Sequence, residues 1–206
     1  MAIAALSNFT VPLASDQSAS SQGMLMPKLQ YRFRVNFENF GVSGSTTEMT
    51  KQVQDFSRPT VDFTNTEIDI YNSKINYAGK PKWGQVTVNL RDDVTGQVSR
   101  LVGEQMQRQF DFFEQSSAAS SNDYKFTLRI EMLDGGNGAN AANVLETWEC
   151  YGCYVVTANY NSLGYGEQGV AEIDLSIQPD NCLQTPVGSG VGAVVPRKLG
   201  TNATGG

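Results

Sequence analysis

Phe126, Leu128, Ile130 and Met132 alternate with Lys125, Thr127, Arg129 and Glu131. Successive side chains of a β-strand point to opposite faces, so this segment reads as a strand with one face for a core and one for polar surroundings. The same period of two recurs along the chain. Tyr31, Phe33, Val35 and Phe37 alternate with Arg32, Arg34 and Asn36; Ile68 and Ile70 alternate with Glu67, Asp69 and Tyr71. Val86, Val88 and Leu90 alternate with Gln85, Thr87, Asn89 and Arg91, and Ala171, Ile173, Leu175 and Ile177 with Glu172, Asp174, Ser176 and Gln178. Residues 50–57 carry Val53 and Phe56 in a weaker pattern that Arg58-Pro59 ends, because proline removes a backbone donor. Residues 145–158 read as one strand interrupted at Gly152, or as two short ones, since glycine inside a strand pattern marks a bulge.

One segment breaks this period. After Asp92-Asp93, whose carboxylates can accept from free amides at a helix start, Val98, Leu101, Val102, Met106, Phe110 and Phe113 fall at helical spacing. Arg100, Glu104, Gln107, Arg108 and Asp111 take the opposite side. The expected fold class is therefore mainly β: an antiparallel β-sandwich or half-open barrel of roughly six to eight strands with one packed α-helix. Residues 1–26, rich in Ala, Ser and Gln, hold few large apolar side chains and read as a flexible N-terminal arm. Residues 27–183 form the β-domain, and 184–206, with Gly188, Gly190, Gly192, Gly200, Gly205 and Gly206, read as a glycine-rich C-terminal extension.

Composition removes whole classes of chemistry. The chain has no histidine, so no Ser/His/Asp or Cys/His pair and no histidine-containing zinc site can be drawn. No nucleophile, base and orienter can be assembled from what is left, and neither catalysis nor a cofactor is expected. Cys150-Tyr151-Gly152-Cys153 has the C-x-x-C spacing, but Cys182 is the one further soft ligand and a closed zinc site lacks its fourth. These cysteines are read as buried or strand-end thiols, and a disulfide involving Cys182 belongs to an exported or virion context. A net charge of −6 disfavours wrapping of a nucleic acid, which needs clustered Lys and Arg. No apolar run is long enough to span a bilayer, and Met1-Ala2-Ile3-Ala4-Ala5-Leu6 lacks the basic flank of a signal peptide, so residence in a cytoplasm is the default expectation.

The stretch Lys74-Ile75-Asn76-Tyr77-Ala78-Gly79-Lys80-Pro81, then the alternating strand to Arg91, Asp92-Asp93 and the helix, resembles a segment of the tail tube proteins of contractile-tailed bacteriophages. In that family a segment like residues 52–59 is followed by an extended hairpin loop. The end of the chain, a strand like residues 170–177 after a turn like Leu163-Gly164-Tyr165-Gly166-Glu167, is similar to the family's last strand. Order and spacing over residues 29–180 carry the likeness. On this reading Ala78-Gly79-Lys80-Pro81 is the turn that returns the chain from an excursion over residues 58–71.

The resemblance implies a virion structural protein, assembled in the host bacterial cytoplasm into hexameric rings stacked as a hollow tube through which viral DNA passes without specific binding. Implied partners are other copies of the chain, the tail sheath protein, baseplate initiator and tail terminator proteins, and the tape measure protein, with no membrane anchor. Arg58, Pro59, Thr60, Asp62, Thr64 and Asn65 are the expected ring-to-ring loop. Glu67, Asp69, Glu172 and Asp174 are the expected lumen-facing residues, since a like-charged wall keeps DNA from adhering, while Arg32, Arg34, Lys125 and Arg129 face a neighbour or the outside. Two alternatives stand beside this reading. A type VI secretion or contractile-bacteriocin tube would use a related subunit, and a carbohydrate-binding β-sandwich could use Trp83, Trp148, Tyr154, Tyr160 and Tyr165 as stacking platforms.

Overall fold

A computed structural model describes residues 27–42, 45–135, 142–166, 168–186 and 191. The chain divides into Met1–Arg32 and Phe33–Gly206. In the first unit the Arg32 amide donates to the Leu29 carbonyl at 3.2 Å, and its guanidinium lies 5.5 Å from the Tyr31 ring centre. Tyr31 is thus an exposed turn residue rather than the first inward position of a strand. The expected arm, residues 1–26, lies outside the described residues.

The second unit is mainly β, with antiparallel pairing throughout its strands. Six principal strands follow the period-two segments: β1 (Phe33–Glu38), β2 (Val53–Phe56), β5 (Val86–Arg91), β8 (Phe126–Leu133), β9 (Val144–Asn159) and β10 (Glu172–Gln178). They form one sheet in the order β1-β8-β9-β10-β5-β2, with β11 (Asn181–Pro186) also paired to β9. Two hairpins stand apart from it, β3 (Val61–Ile70) with β4 (Ser73–Trp83) and the short β6 (Phe110–Asp111) with β7 (Ser116–Ser117). Strand β11 carries order to Pro186, past residue 184 where the glycine-rich extension was expected to begin; most of that extension lies outside the described residues.

Alternation does what the sequence asks of it. Val35, Phe37, Val86, Val88, Leu90, Phe126, Leu128, Ile130, Ile173, Leu175 and Ile177 are all buried in a single core. Each such side chain contributes about 1.5–3 kcal/mol over remaining in water. The pairings Ile173↔Leu90 and Leu175↔Val88 place apolar partners opposite one another on the core face.

Strand β9 makes the sheet fold over itself. Its first half lies between β8 and β11, and its second half pairs with β10. The change falls at Gly152, which adopts φ +66°. A Cβ there would stand 2.3 Å from the Asp180 carboxylate, so this corner needs glycine for both its backbone and its space. The Asp180 amide donates to the Tyr151 carbonyl at 3.0 Å, and its side chain pairs with Lys125. The expected interruption is therefore a left-handed corner within one continuous strand.

Helix α2 (Gln97–Gln109) covers the core with Val98, Leu101, Val102 and Gln105. Asp93 starts it as the sequence suggested: its carboxylate accepts from the Gln97 amide at 3.0 Å and from Thr95 Oγ1 at 2.7 Å, and these bonds hold the carboxyl below its ordinary pKa. Gln109 both donates to the Val155 carbonyl at 2.9 Å and accepts from its amide at 2.8 Å, pinning the helix end to β9. Three expectations fail around these helices. Phe113 is not on α2; the helix stops at Gln109 and Phe113 sits 94% exposed in the turn between β6 and β7. Residues 50–57 are only half strand, because a short helix α1 (Thr47–Gln52) buries Met49 and gives way to β2 at Val53. Among the described residues the fold thus packs two α-helices rather than one.

Candidate assembly surfaces

Hairpin β3–β4 departs most from the rest of the molecule. Every residue of β3 is exposed, and in β4 only Trp83 is buried. At roughly 3.3 Å per residue its ten-residue strand reaches about 30 Å. A two-stranded ribbon in water is marginally stable at best, so a long one held clear of a core needs another surface to settle on.

Its faces are unequal. Register partners Ile68 and Ile75, with Ile70 and Tyr77, share one side near the tip, all four exposed. Glu67, Asp69, Lys74, Asn65 and Asn76 take the other side, where Lys74 Nζ lies 3.3 Å from Glu67 and 3.6 Å from Asp69. Asn65 donates to Asn76 at 3.1 Å across the same face. The turn itself is Tyr71-Asn72, with Tyr71 99% exposed and at φ 47°, an uncommon backbone for an aromatic residue.

The hairpin corrects two sequence readings. Ala78-Gly79-Lys80-Pro81 is not a turn but the bulged middle of β4, where a Cβ on Gly79 would meet the Thr64 carbonyl at 2.7 Å. Ile68 and Ile70 are not core residues; period two shows which side chains share a face, and not whether that face is covered. The two alternating apolar pairs Ile68, Ile70 and Ile75, Tyr77, on either side of Tyr71-Asn72, were the signal for a hairpin tip.

The six expected loop residues lead into the same hairpin and make up part of its lower half. Pro59 is buried and Arg58 exposed just before β3, and the Thr60 carbonyl accepts from Gly84 at 2.9 Å to close the base. Asp62 faces Lys82, Thr64 sits at the bulge, and Asn65 begins the polar face. The four acidic residues are divided. Glu67 and Asp69 lie on the hairpin, whereas Glu172 and Asp174 lie on the outer face of β10 and share one partner, Asn89, which donates to them at 3.1 and 2.7 Å. Arg34 and Arg129 are not a bare cationic face: Glu131 lies 2.5 Å from Arg34, and Glu149 and Glu38 lie 3.0 and 3.2 Å from Arg129.

A second exposed apolar region lies at the opposite end of the sheet. The hairpin leaves where β10 ends, with Gln178 donating to the Trp83 carbonyl at 2.9 Å. The β9–β10 connection lies beyond the other end, near the start of β10, and exposes Leu163, Tyr165 and Val170. Its Ala171 carbonyl accepts from the Asp92 amide at 2.8 Å, tying it to the loop that exposes Val94.

The aromatic residues weighed as sugar platforms separate into two groups. Trp83 and Trp148 pack edge to face 6.5 Å apart, with their indole N–H groups bonded to Asn181 and Glu146. Tyr154 stands edge to face with Tyr124. Tyr160 and Tyr165 are exposed.

The β-architecture is shared with chains of solved tail-tube and tube-terminator assemblies. The tube-terminating cap of the anti-feeding prophage superposes with a TM-score of 0.59 at 13% identity, covering 82% of this chain and 98% of that one. A chain of the sheath–tube complex of the extracellular contractile injection system PVC gives 0.55 at 13% identity, covering 78% and 93%. The SPP1 tail tube gives 0.51 at 13% identity, covering 78% and 80%. No protein-family model matches the sequence. No curated protein matches it either.

Proposed function

We propose that this chain is the tube subunit of a contractile tail, assembling as hexameric rings stacked into a hollow conduit inside a sheath. The observation that carries the reading is the exposed β3–β4 hairpin with its apolar tip, on a fold shared with tube subunits. In a stack the tip would lie against the next ring. An apolar hairpin at one end and an apolar loop region at the other suit head-to-tail contact, which propagates instead of closing as a dimer. Strands β1 and β2, like β11, are edge strands, and pairing such edges between neighbours would remove the aggregation hazard of open strands. Sheath, terminator, baseplate initiator and tape measure proteins are the corresponding partners, in a virion or a tail-like particle.

Electron microscopy of the purified protein, alone and with an initiator ring, tests this reading. Stacked hollow rings are expected. A monomer that persists with the initiator present overturns it and returns the sandwich-binder alternative, for which Tyr160 and Tyr165 are the exposed aromatic residues remaining. A second reading, a tube of an extracellular contractile injection system, is favoured by one observation: the chain of such a system superposes with a higher TM-score, 0.55, than the SPP1 tail tube at 0.51. Neighbouring genes for a portal, as against a secretion ATPase, separate the two.

The proposed luminal wall comprises Glu67, Asp69, Glu172 and Asp174. Of these, Glu172 and Asp174 lie on the sheet face where, among the described residues, asparagines rather than lysine or arginine bond to them. Changing both to lysine is expected to leave tubes intact and to make them retain duplex DNA at low salt, with the retention lost as salt rises. Equal DNA retention by wild-type and doubly substituted tubes would place these residues elsewhere.

A further inference from the structure

Cys150 on β9 and Cys182 on β11 are register partners, and their Sγ atoms lie 3.2 Å apart. Both are fully buried thiols in this structure. Cys153, the other half of the C-x-x-C spacing, takes a different course. It lies beyond the Gly152 corner, opposite Phe126, and its thiol is directed to the Cys150 carbonyl at 3.2 Å. The sequence left open which cysteine faces Cys182; in the fold it is Cys150.

We propose that Cys150 and Cys182 are a reversible cross-strand disulfide site, held as thiols in a reducing cytoplasm and joined once the protein meets an oxidising environment. Facing residues on antiparallel strands already stand near the separation a disulfide requires, and β11, which among the described strands pairs with β9 alone, is free to close the remainder. With a low-molecular-weight disulfide as oxidant, one protein thiolate attacks it and releases one small thiol. The second protein thiolate then attacks the mixed disulfide at the protein sulfur and releases the other. Two S–H bonds are lost and one S–S bond forms; the two electrons and two protons leave with the small thiols. The bond would tie β11, the last described strand, to the centre of the sheet across a sequence separation of 32.

Rate follows from burial. Hydrogen bonding to Cys182 and then desolvation push the Cys150 thiol up, and desolvation first of all brings Cys153 to about 12, so neither is a ready thiolate. Oxidation therefore waits on fraying of β11 and takes hours rather than seconds.

The full-length protein is incubated with oxidised glutathione, denatured, and alkylated with iodoacetamide, and its intact mass is measured. Wild type is expected to take up one alkyl group, Cys153→Ala none and Cys182→Ala two. Oxidised wild type should melt roughly 7–15 °C above its reduced form, while Cys182→Ala shows no such difference. Three alkyl groups on oxidised wild type, or none on Cys182→Ala, overturn the assignment; the second result would show that the C-x-x-C pair is the one that closes.

Discussion

Replacing Ile68, Ile75 and Tyr77 together by aspartate is expected to abolish tube growth and leave the subunit folded. All three are exposed on the hairpin, and none belongs to the core. Their loss therefore removes little from the monomer. In a stack, burial of each would contribute about 1.5 kcal/mol, at the low end of the range for large apolar side chains. Three losses amount to roughly a thousandfold per joint. Introduced carboxylates add the cost of burying charge, so the effect of aspartate exceeds that of alanine. Sedimentation and electron microscopy read assembly, and the urea midpoint reads folding. Tubes of wild-type length would show that the hairpin tip is not the joint. A collapsed urea midpoint would show instead that the tip packs on its own subunit.

Gly152→Ala has the largest expected effect on the fold itself. At φ +66° a Cβ costs about 1–2 kcal/mol in backbone strain. The added methyl would also meet Asp180 at 2.3 Å, and Asp180 cannot swing away without giving up Lys125. A total near 2–3 kcal/mol follows, with a fall in melting temperature of about 5–10 °C. Asp180→Ala in the same chain should return the steric part and leave the backbone part. If Gly152→Ala melts like wild type, the corner in β9 is not where the sheet is made to bend.

How far the sequence reaches can be seen at these same residues. Strands β1, β5, β8 and β10 were legible because alternation there coincides with a covered face. Helix α2 was legible in its first three turns. Phe113 misled because helical spacing carries no mark of where a chain stops, and α2 ends where Gln109 bonds to the backbone of β9, a contact made from afar. Residues 68 and 70 were misread for the opposite reason. Their local pattern matches that of β10, and only the absence of a facing layer distinguishes them. Met49 shows a further limit: one buried methionine is enough to fix a turn and a half of helix, and one residue makes no period. Among the candidate surface residues, Glu172 and Asp174 share one strand face, as alternation implies, but their common partner Asn89 lies on β5 and comes to them through pairing.

Strand β9 runs 16 residues without a break, and the ladders to β8, β10 and β11 all hang from it. A force along its first half loads the ladders to β8 and β11 in shear and together, so they must slip as a set; a force across it would peel them singly. The subunit is stiff in one direction and weaker in another. A conduit built from such parts would withstand thrust along the first half of β9 far better than a sideways blow.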